Sequence, residues 1–245
     1  MTVPLLEDER IDDLDRNGYR IIQNKKSFCF GMDAVLLSAF TKARAEDRII
    51  DLGTGTGIIP ILLKARTGSS DITGLEIQPQ SADMAGRSVA LNGLENDIHI
   101  VEGDIKNVKE LWPRGSFSVV TSNPPYIKPS GGLTNPSEAK AIARHEIMCT
   151  FDDVAAAAAY LLGDKGSFFL VHRPNRLVEI FETLKKHHLE PKRLKLVHSF
   201  IDSPATMFLL EACKDSGSYM TVEKPLIIYK EKDVYTEEIH EIYGF

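Results

Sequence analysis

Short apolar segments alternate with amphipathic segments along most of the chain, which is the pattern of parallel strands joined by helices. Five of the apolar segments are rich in β-branched and aliphatic residues and have the length of buried strands. They occupy residues 48–52, 72–76, 98–102, 117–122 and 167–172. Helices are predicted between them at residues 58–66, 78–92, 151–162 and 175–188. This alternation predicts a doubly wound α/β sheet.

Further segments extend this sheet and precede it. Residues 194–200 and 207–212 are predicted to form a terminal antiparallel pair, which gives a seven-stranded sheet. Before the sheet, residues 1–18 are predicted to be a loose arm, residues 19–23 and 28–30 short strands, and residues 34–40 a helix with Asp33 as its N-cap. We therefore divide the chain into an N-terminal strand and helix addition, residues 1–45, and a main domain, residues 46–245.

The composition fits one large α/β domain, and we expect a cytoplasmic monomer. The 245 residues are 43% hydrophobic, and no apolar run is long enough to span a membrane. Cys29, Cys149 and Cys213 form no Cys-x-x-Cys pair, so we expect reduced thiols and no metal site. A net charge of −6 argues against non-specific coating of nucleic acid but leaves room for a local basic surface.

A glycine-rich segment, DLGTGTG at residues 51–57, joins the first main strand to its helix. Its spacing differs from the G-x-G-x-x-G of dinucleotide sites, and Asp51 at the strand end would repel a pyrophosphate. Asp51 suits a cationic ligand such as S-adenosylmethionine, whose amino-acid end carries an ammonium group. Glu76 ends the second strand, where it can accept both ribose hydroxyls, and Asp104 follows the third, where it can accept from the adenine amino group. Each acid alone is equally well explained as a cap or turn residue, but all three at successive strand ends favour a cofactor site.

The fourth strand is followed by Asn123-Pro124-Pro125-Tyr126, in which the prolines must end the strand. The Asn123 side-chain oxygen and the Pro124 carbonyl can each accept one N–H bond of a planar amino group, so that its lone pair points at an incoming methyl group. Tyr126 can stack on a planar substrate. The alternative is an ordinary strand-ending turn, since Asn and Pro are common turn residues. Together with the acids, the motif predicts methyl transfer to an sp2 nitrogen.

These motifs resemble those of class I S-adenosylmethionine-dependent methyltransferases that act on amino groups. Within that superfamily the chain most resembles the bacterial enzymes that form N6-methyladenosine at position 37 of valine tRNA. The resemblance covers nearly the whole chain and includes residues 28–37, 143–146 and 224–229. It implies a Rossmann-like seven-stranded sheet, a tRNA substrate, S-adenosylhomocysteine as product, and an N-terminal extension that packs on the cofactor site.

The resemblance also implies a set of site residues. The expected catalytic residues are Asn123, Pro124, Pro125 and Tyr126. The expected cofactor contacts are Phe30, Gly31, Asp33, Asp51, Gly53, Gly55, Gly57, Glu76, Ile77, Asp104, Ile105 and Asn123. Among these, the turn from Phe30 to Asp33 is expected to close the methionine end of the site.

Basic residues in three segments are candidates for contacts with RNA, beside the stacking partner Tyr126. A compact group near the end of the last predicted helix is the most concentrated positive segment, although a solvated helix end explains it equally well. Two arginines after the fifth strand are expected nearer the site, and two further basic residues lie in or beside the long segment after Tyr126. In that order, the candidates are Lys185, Lys186, Lys192 and Arg193; Arg173 and Arg176; and Lys128 and Arg144.

Three other functions compete with this interpretation. Release-factor methyltransferases, which methylate a glutamine amide, share Asn-Pro-Pro-Tyr but carry a helical substrate domain before the cofactor fold, and residues 1–47 lack that pattern. A DNA adenine methyltransferase would need a separate target-recognition domain, for which 245 residues leave no room. A non-catalytic, cofactor-sensing RNA-binding module would be expected to have lost the motif or the acids, and both are present.

Overall fold

A computed structural model describes residues 3–26, 31–125 and 149–244. Its strands are β1 (Glu9–Asp13), β2 (Arg20–Asn24), β3 (Ile49–Leu52), β4 (Ile72–Glu76), β5 (Ile98–Glu102), β6 (Phe117–Ser122), β7 (Leu162–His172), β8 (Leu189–His198), β9 (Ala205–Lys214), β10 (Thr221–Val222), β11 (Leu226–Ile227), β12 (Tyr229–Glu231) and β13 (Val234–Tyr235). Its α-helices are α1 (Met32–Phe40), α2 (Ile58–Thr67), α3 (Pro79–Leu91), α4 (Val108–Leu111), α5 (Phe151–Leu161), α6 (Leu177–Lys186) and α7 (Glu237–Tyr243). Two 3-10 turns cover Ile105–Asn107 and Pro174–Arg176. In this part of the chain, no helix combines the length and the apolar character that crossing a bilayer requires.

The main sheet has the strand order β10-β8-β9-β7-β6-β3-β4-β5, and β11 also pairs with β8. From β7 to β5 all neighbours are parallel, whereas β9 is antiparallel to both β7 and β8. The chain moves outward from β3 to β5 and then returns to the other side of β3, so the sheet is doubly wound. The predicted fold class is therefore confirmed, and the two-residue strands β10 and β11 extend the predicted seven strands to nine.

Two apolar layers cover the faces of the sheet. On one face, α1 and α2 bury Leu36 and Ile61, and on the other α5 buries Ala155. Ile49 belongs to the first layer and Ile50 to the second, as the alternation of side chains along a strand requires. Because both faces are covered, every residue of β3 and β4 is buried. Both strands were predictable from their continuous apolar character for this reason.

The structure corrects several predicted elements at the two ends of the chain. Residues 1–18 are not all a loose arm, because β1 pairs with β2 in an antiparallel hairpin. Gly31 is the N-cap of α1, whereas Asp33 lies in its first turn. β7 begins at Leu162 instead of residue 167, and β13 and α7 were not expected. The strand predicted at residues 28–30 lies outside the described residues.

The hairpin β1–β2 packs on helix α3. Arg87 donates to both carboxyl oxygens of Glu9 at 2.7 Å, and Glu9 is almost fully covered. The Arg87 guanidinium holds the pKa of Glu9 below its ordinary value. The backbone N–H of Ile22 donates to Ser88 Oγ at 3.0 Å. The extension is thus fixed to α3 in its described part, while its packing on the cofactor site and the division at residue 45 stay predictions.

Candidate active site

The carboxyl ends of β6, β3, β4 and β5 lie side by side along one edge of the sheet, called here the carboxyl edge. The pairing register places Leu52 beside Ser122 on one side and Leu75 on the other, and Leu75 beside Val101. Neighbouring strands are about 5 Å apart. One residue further along, the four chain segments present Asn123, Gly53, Glu76 and Glu102 in adjacent positions. The register therefore brings together the amide and the cofactor candidates that the sequence scatters.

The glycine-rich loop between β3 and α2 is fixed against the end of β4. The Gly53 N–H donates to the Leu75 carbonyl at 2.9 Å, and the Gly55 N–H donates to Glu76 Oε2 at 2.8 Å. Gly57, the N-cap of α2, has φ of 86°, a left-handed conformation that favours glycine. A Cβ at this position would also approach a side chain of α3 to 3.1 Å. The loop is thus preorganised to bring its backbone close to a ligand.

Glu76 holds the glycine-rich loop in place, and it also lies at the position where the ribose of the cofactor is expected. Its side chain is buried, Oε2 accepts from Gly55, and Oε1 accepts from the Gln78 N–H at 2.9 Å. A carboxylate oxygen has two lone pairs, so both oxygens keep the capacity to accept a hydroxyl. The ribose contact stays a prediction, as does the neighbouring contact of Ile77.

Asp51 is completely buried at the end of β3. Burial raises the pKa of its carboxyl to about 6; a hydrogen bond at 2.7 Å from Thr121 Oγ1 to Oδ1 opposes this rise, and the charge of Glu76 adds to it. Asp51 Oδ2 and Thr54 Oγ1 are buried and form no hydrogen bond of good geometry among the described residues, although the Thr54 hydroxyl is close enough to the Asp51 carboxyl to oppose the rise in its pKa. Buried polar atoms normally have partners. These two atoms beside the glycine-rich loop therefore fit a ligand that brings N–H or O–H donors of its own.

Asp104 caps a 3-10 turn and also remains accessible to a ligand. Its Oδ1 accepts from the Lys106 N–H at 2.9 Å and so caps the 3-10 turn that begins at Ile105. Its Oδ2 lies 3.7 Å from Lys106 Nζ, and a quarter of the side chain is exposed. The acid is therefore accessible at the carboxyl edge, and the predicted contact with an adenine amino group stays open.

The end of β6 has the form that the prolines require. The strand stops at Ser122, and Asn123, Pro124 and Pro125 follow without regular secondary structure. Ser122 Oγ donates to the Leu52 carbonyl at 2.9 Å, which ties this end to β3. Asn123 is half-buried and Pro125 exposed, so the segment borders solvent at the site. The predicted site residues Tyr126, Lys128, Arg144 and Phe30 lie outside the described residues.

The start of helix α1 also lies near the carboxyl edge. Helix α2 starts from the glycine-rich loop at that edge, so Arg66, near the end of α2, lies at the opposite edge. There Arg66 Nε donates at 3.1 Å to the Oγ of Ser38, which is close to the end of α1. Helix α1 must therefore begin near the site. A Cβ on Gly31 would stand 2.7 Å from Asp33 Oδ1, so a larger residue at this position would displace the Asp33 carboxylate. This placement agrees with the prediction that Gly31 and Asp33 help to close the cofactor site.

The candidate basic residues lie at two opposite edges of the sheet. Arg173 and Arg176 follow β7 directly and so lie at the carboxyl edge. Arg173 Nη1 donates to the Thr206 carbonyl at 2.9 Å, and Arg176 Nε donates to Glu179 at 2.8 Å. Lys185 and Lys186 end α6, which starts at the carboxyl edge and therefore finishes at the other one.

The remaining two candidates already have partners within the fold. Arg193 donates to Glu211 at 2.7 Å, to Glu223 at 2.9 Å and to the Phe40 carbonyl at 2.8 Å, and its guanidinium lies 3.9 Å above the Phe40 ring. Lys192 Nζ donates to the Gly217 carbonyl. These partners favour the helix-end alternative for this segment and agree with the expectation that Arg173 and Arg176 lie nearer the site, while the RNA contacts of Lys185, Lys186, Lys192 and Arg193 stay predictions.

Thr121 is the site residue that sequence reasoning missed. Its hydrogen bond to Asp51 follows from the register of β3 and β6, which places the two residues side by side. A threonine inside an apolar strand gives no such signal by itself.

Among the described residues, no group of three or more His, Cys, Asp or Glu side chains could hold a metal ion.

Comparisons with known proteins agree with this arrangement. A family described as the methyltransferase small domain matches residues 31–192. Two relatives named tRNA1(Val) (adenine(37)-N6)-methyltransferase illustrate the similarity. The one from Photobacterium profundum is 27% identical and covers 80% of this chain and 82% of its own length. The one from Porphyromonas gingivalis strain W83 is 30% identical and covers 67% and 71% respectively.

Solved structures share the same fold. A predicted O-methyltransferase from Agrobacterium tumefaciens superposes with a TM-score of 0.71 at 25% identity, over 87% of this chain and 96% of that one. A geranyl diphosphate C-methyltransferase from Streptomyces coelicolor, at 12% identity, has a TM-score of 0.55 over 74% of this chain and 79% of that one. The second likeness concerns the fold alone, and both confirm the predicted class I methyltransferase architecture.

Proposed function

Because the chain belongs to the methyltransferase small domain family, we propose that it uses S-adenosylmethionine to methylate N6 of an adenine in RNA, namely adenosine 37 of a valine tRNA. One observation carries the chemistry: the Asn-Pro-Pro end of β6 stands in register beside the glycine-rich loop of β3. The RNA target is supported by the names of the relatives, one of which, from Bacteroides thetaiotaomicron, matches 91% of this chain at 26% identity.

The residues of the carboxyl edge fit the cofactor. S-adenosylmethionine supplies an electrophilic methyl group on a sulfonium. Asp51, with one carboxyl oxygen unpartnered in the part of the chain that the structure describes, is suited to receive the ammonium of its amino-acid end. Glu76 accepts the ribose hydroxyls while it keeps the loop in place, and Asp104 accepts from the adenine amino group. Each contact uses an acceptor that the fold already holds in position.

The target amine is held by acceptors. The Asn123 side-chain oxygen and the Pro124 carbonyl each accept one N–H bond, which turns the nitrogen lone pair toward the methyl group. Positive charge develops on this nitrogen as the new bond forms, so the two oxygens stabilise the transition state more than the ground state. No base has to remove a proton first. Tyr126 stacks on the base and holds its plane.

The RNA approaches from the carboxyl edge. Arg173 and Arg176 lie beyond the end of β7 on that edge, where their positive charge attracts phosphates near the target base. Because the protein carries a net charge of −6, this attraction is local and weakens as salt rises. The enzyme acts as a monomer in the cytoplasm, where tRNA is modified.

A labelled-methyl assay tests the proposal. The protein is incubated with tritiated S-adenosylmethionine and unmodified valine tRNA that carries either adenosine or guanosine at position 37. Incorporation into the first RNA alone is expected. Equal labelling of both would refute the position, and labelling of a release factor without labelling of tRNA would replace the proposal with glutamine methylation.

A further inference from the structure

One buried hydrogen bond connects the cofactor side of the site to the strand that carries the target-amine motif. Thr121 Oγ1, in β6, donates to Asp51 Oδ1, in β3, at 2.7 Å. Both residues are completely buried and face each other in the strand register. Thr121 precedes Asn123 by two positions, so the strand that ends in the catalytic motif also contacts the acid of the cofactor loop.

We propose that Thr121 is a positioning residue for the cofactor, whose hydroxyl keeps the Asp51 carboxylate ionised and oriented to receive the cationic amino-acid end of the ligand. The inference rests on the proposed function, because it takes Asp51 as the acceptor of that ammonium. It assigns no direct ligand contact to Thr121. The hydroxyl occupies Oδ1, which leaves Oδ2, unpartnered among the described residues, for the ligand.

The surroundings of Asp51 explain why such a donor is needed. Burial disfavours the charged carboxylate, and the negative charge of Glu76 at the end of β4 disfavours it further, so that the pKa rises to about 6. The nearby Thr54 hydroxyl opposes both effects to a smaller extent, and the Thr121 hydroxyl opposes them more strongly by donating to the ionised form. Without this donor, a larger fraction of Asp51 would be protonated near neutral pH. A neutral carboxyl would attract an ammonium group much less strongly.

The direction in which ligand affinity changes with pH follows from the ionisation of Asp51. If the ligand needs ionised Asp51, its affinity is constant well above the pKa of that group and falls about tenfold per pH unit well below it. Hydrogen bonds to charged groups are strong enough that their loss raises such a pKa by about one to two units. The part of the pH profile in which affinity falls with falling pH, called here the acid limb, should therefore move to higher pH when the Thr121 hydroxyl is removed.

The experiment measures binding of S-adenosylhomocysteine by calorimetry from pH 5 to pH 8.5. This stable ligand has the same amino-acid end as the cofactor. Thr121→Val keeps the shape of the side chain but removes the donor, whereas Thr121→Ser keeps the donor. Ser122→Ala is the matched control, because it removes a buried hydroxyl from the next residue, which donates to the Leu52 carbonyl at 2.9 Å and not to Asp51. Asp51→Asn identifies the titrating group.

We expect Thr121→Val to lose affinity about threefold to twentyfold at pH 6.5, relative to the unaltered protein, and little at pH 8.5. Thr121→Ser and Ser122→Ala should keep the original acid limb, and Asp51→Asn should abolish it. Ratios to the unaltered protein at each pH cancel titration of the ligand amine. Thermal unfolding of each variant checks that the fold is retained.

The possible failures are distinguishable. If Thr121→Val weakens binding equally at all pH values, or leaves it unchanged, the positioning role is wrong while the cofactor site stands. If Ser122→Ala shifts the limb as much as Thr121→Val, the shift reflects general loosening of the β3–β6 pair and the inference is overturned. If the unaltered protein does not bind the ligand at any pH, both the inference and the proposed function fail.

Discussion

In two regions, closeness along the chain does not match closeness in the folded protein: the polar residues at the strand ends and the basic residues of segment 185–193. The first set is scattered along the chain, yet the register of β3, β4 and β6 places Gly53, Glu76 and Asn123 side by side. The second set is compact in sequence, yet α6 and β8 distribute it away from the site. Equivalent position on successive strands, and not closeness in sequence, brings functional residues together in a doubly wound sheet.

The two regions also differ in how well their charges are satisfied. Arg193 in the basic segment has two carboxylates and a carbonyl as partners. Asp51 at the carboxyl edge is buried with one oxygen unpartnered among the described residues, and its pKa is raised. Perturbed titrating groups concentrate at functional sites. The basic segment is therefore organised for stability and the carboxyl edge for a ligand, and mutations in the two regions should differ accordingly.

The largest effect is expected from Asn123→Ala. Its amide oxygen is proposed to hold the target amine most strongly in the transition state, so its loss should lower single-turnover rate by roughly 10²–10³, the scale of removing one preorganised polar group. Affinity for S-adenosylmethionine, measured by calorimetry, should stay nearly unchanged, because the proposed cofactor contacts lie in the loops after β3, β4 and β5. A fully active variant would show that the catalytic motif has been assigned wrongly.

Asp51→Asn should stabilise the ligand-free protein. Because the folded-state pKa is raised from 3.8 to about 6, the ionised carboxyl destabilises the fold above pH 6, by up to about 3 kcal/mol at pH 8. The gain should shrink as pH falls from 6 toward 3.8, where the native carboxyl is already neutral. Thermal unfolding from pH 4 to pH 8 measures it. A variant less stable than the original at pH 8 would contradict the idea that stability is lost here for ligand binding.

The same substitution should weaken cofactor binding. Asp51→Asn and Glu76→Gln each remove a charged acceptor, so affinity for S-adenosylmethionine should fall by roughly 1–3 kcal/mol. Asp97→Asn is the matched control, since that carboxylate pairs with Lys64 at 3.0 Å directly before the start of β5, at the opposite edge of the sheet. Calorimetric titration should separate the first two variants from the third. Equal affinities in all three would remove the acids from the cofactor site.

The smallest effects are expected in the basic segment, and they should concern stability. Arg193→Ala removes a mostly buried guanidinium from Glu211 and Glu223 and should cost roughly 2 kcal/mol in the free energy of unfolding. Lys186→Ala breaks an exposed pair with Asp152 and should cost about 0–1 kcal/mol. Denaturant unfolding measures both, and filter binding should show unchanged tRNA affinity for Lys186→Ala. A marked loss of tRNA binding there would return the segment to the substrate surface.

Much of the fold was predictable because the central strands are buried on both faces. The segments predicted for β4 and β6, which are buried along almost their whole length, and for the edge strand β5 have the bounds that the structure shows. Strand β2 was predicted, but β1 was not, because four of its five residues are charged and it is held in place by the distant pair of Arg87 with Glu9. The same limit applies to Arg193 and Thr121, whose partners lie on other strands. Sequence patterns report local burial, whereas these roles depend on which strands become neighbours.

Identification of the methylated nucleoside tests the central claim most directly. Unmodified valine tRNA is incubated with the protein and S-adenosylmethionine, digested to nucleosides and analysed by liquid chromatography and mass spectrometry, with the Asn123→Ala protein in parallel. The account predicts N6-methyladenosine from the unaltered protein and almost none from the variant. A product methylated at another atom, such as 1-methyladenosine or a ribose-methylated nucleoside, would contradict it.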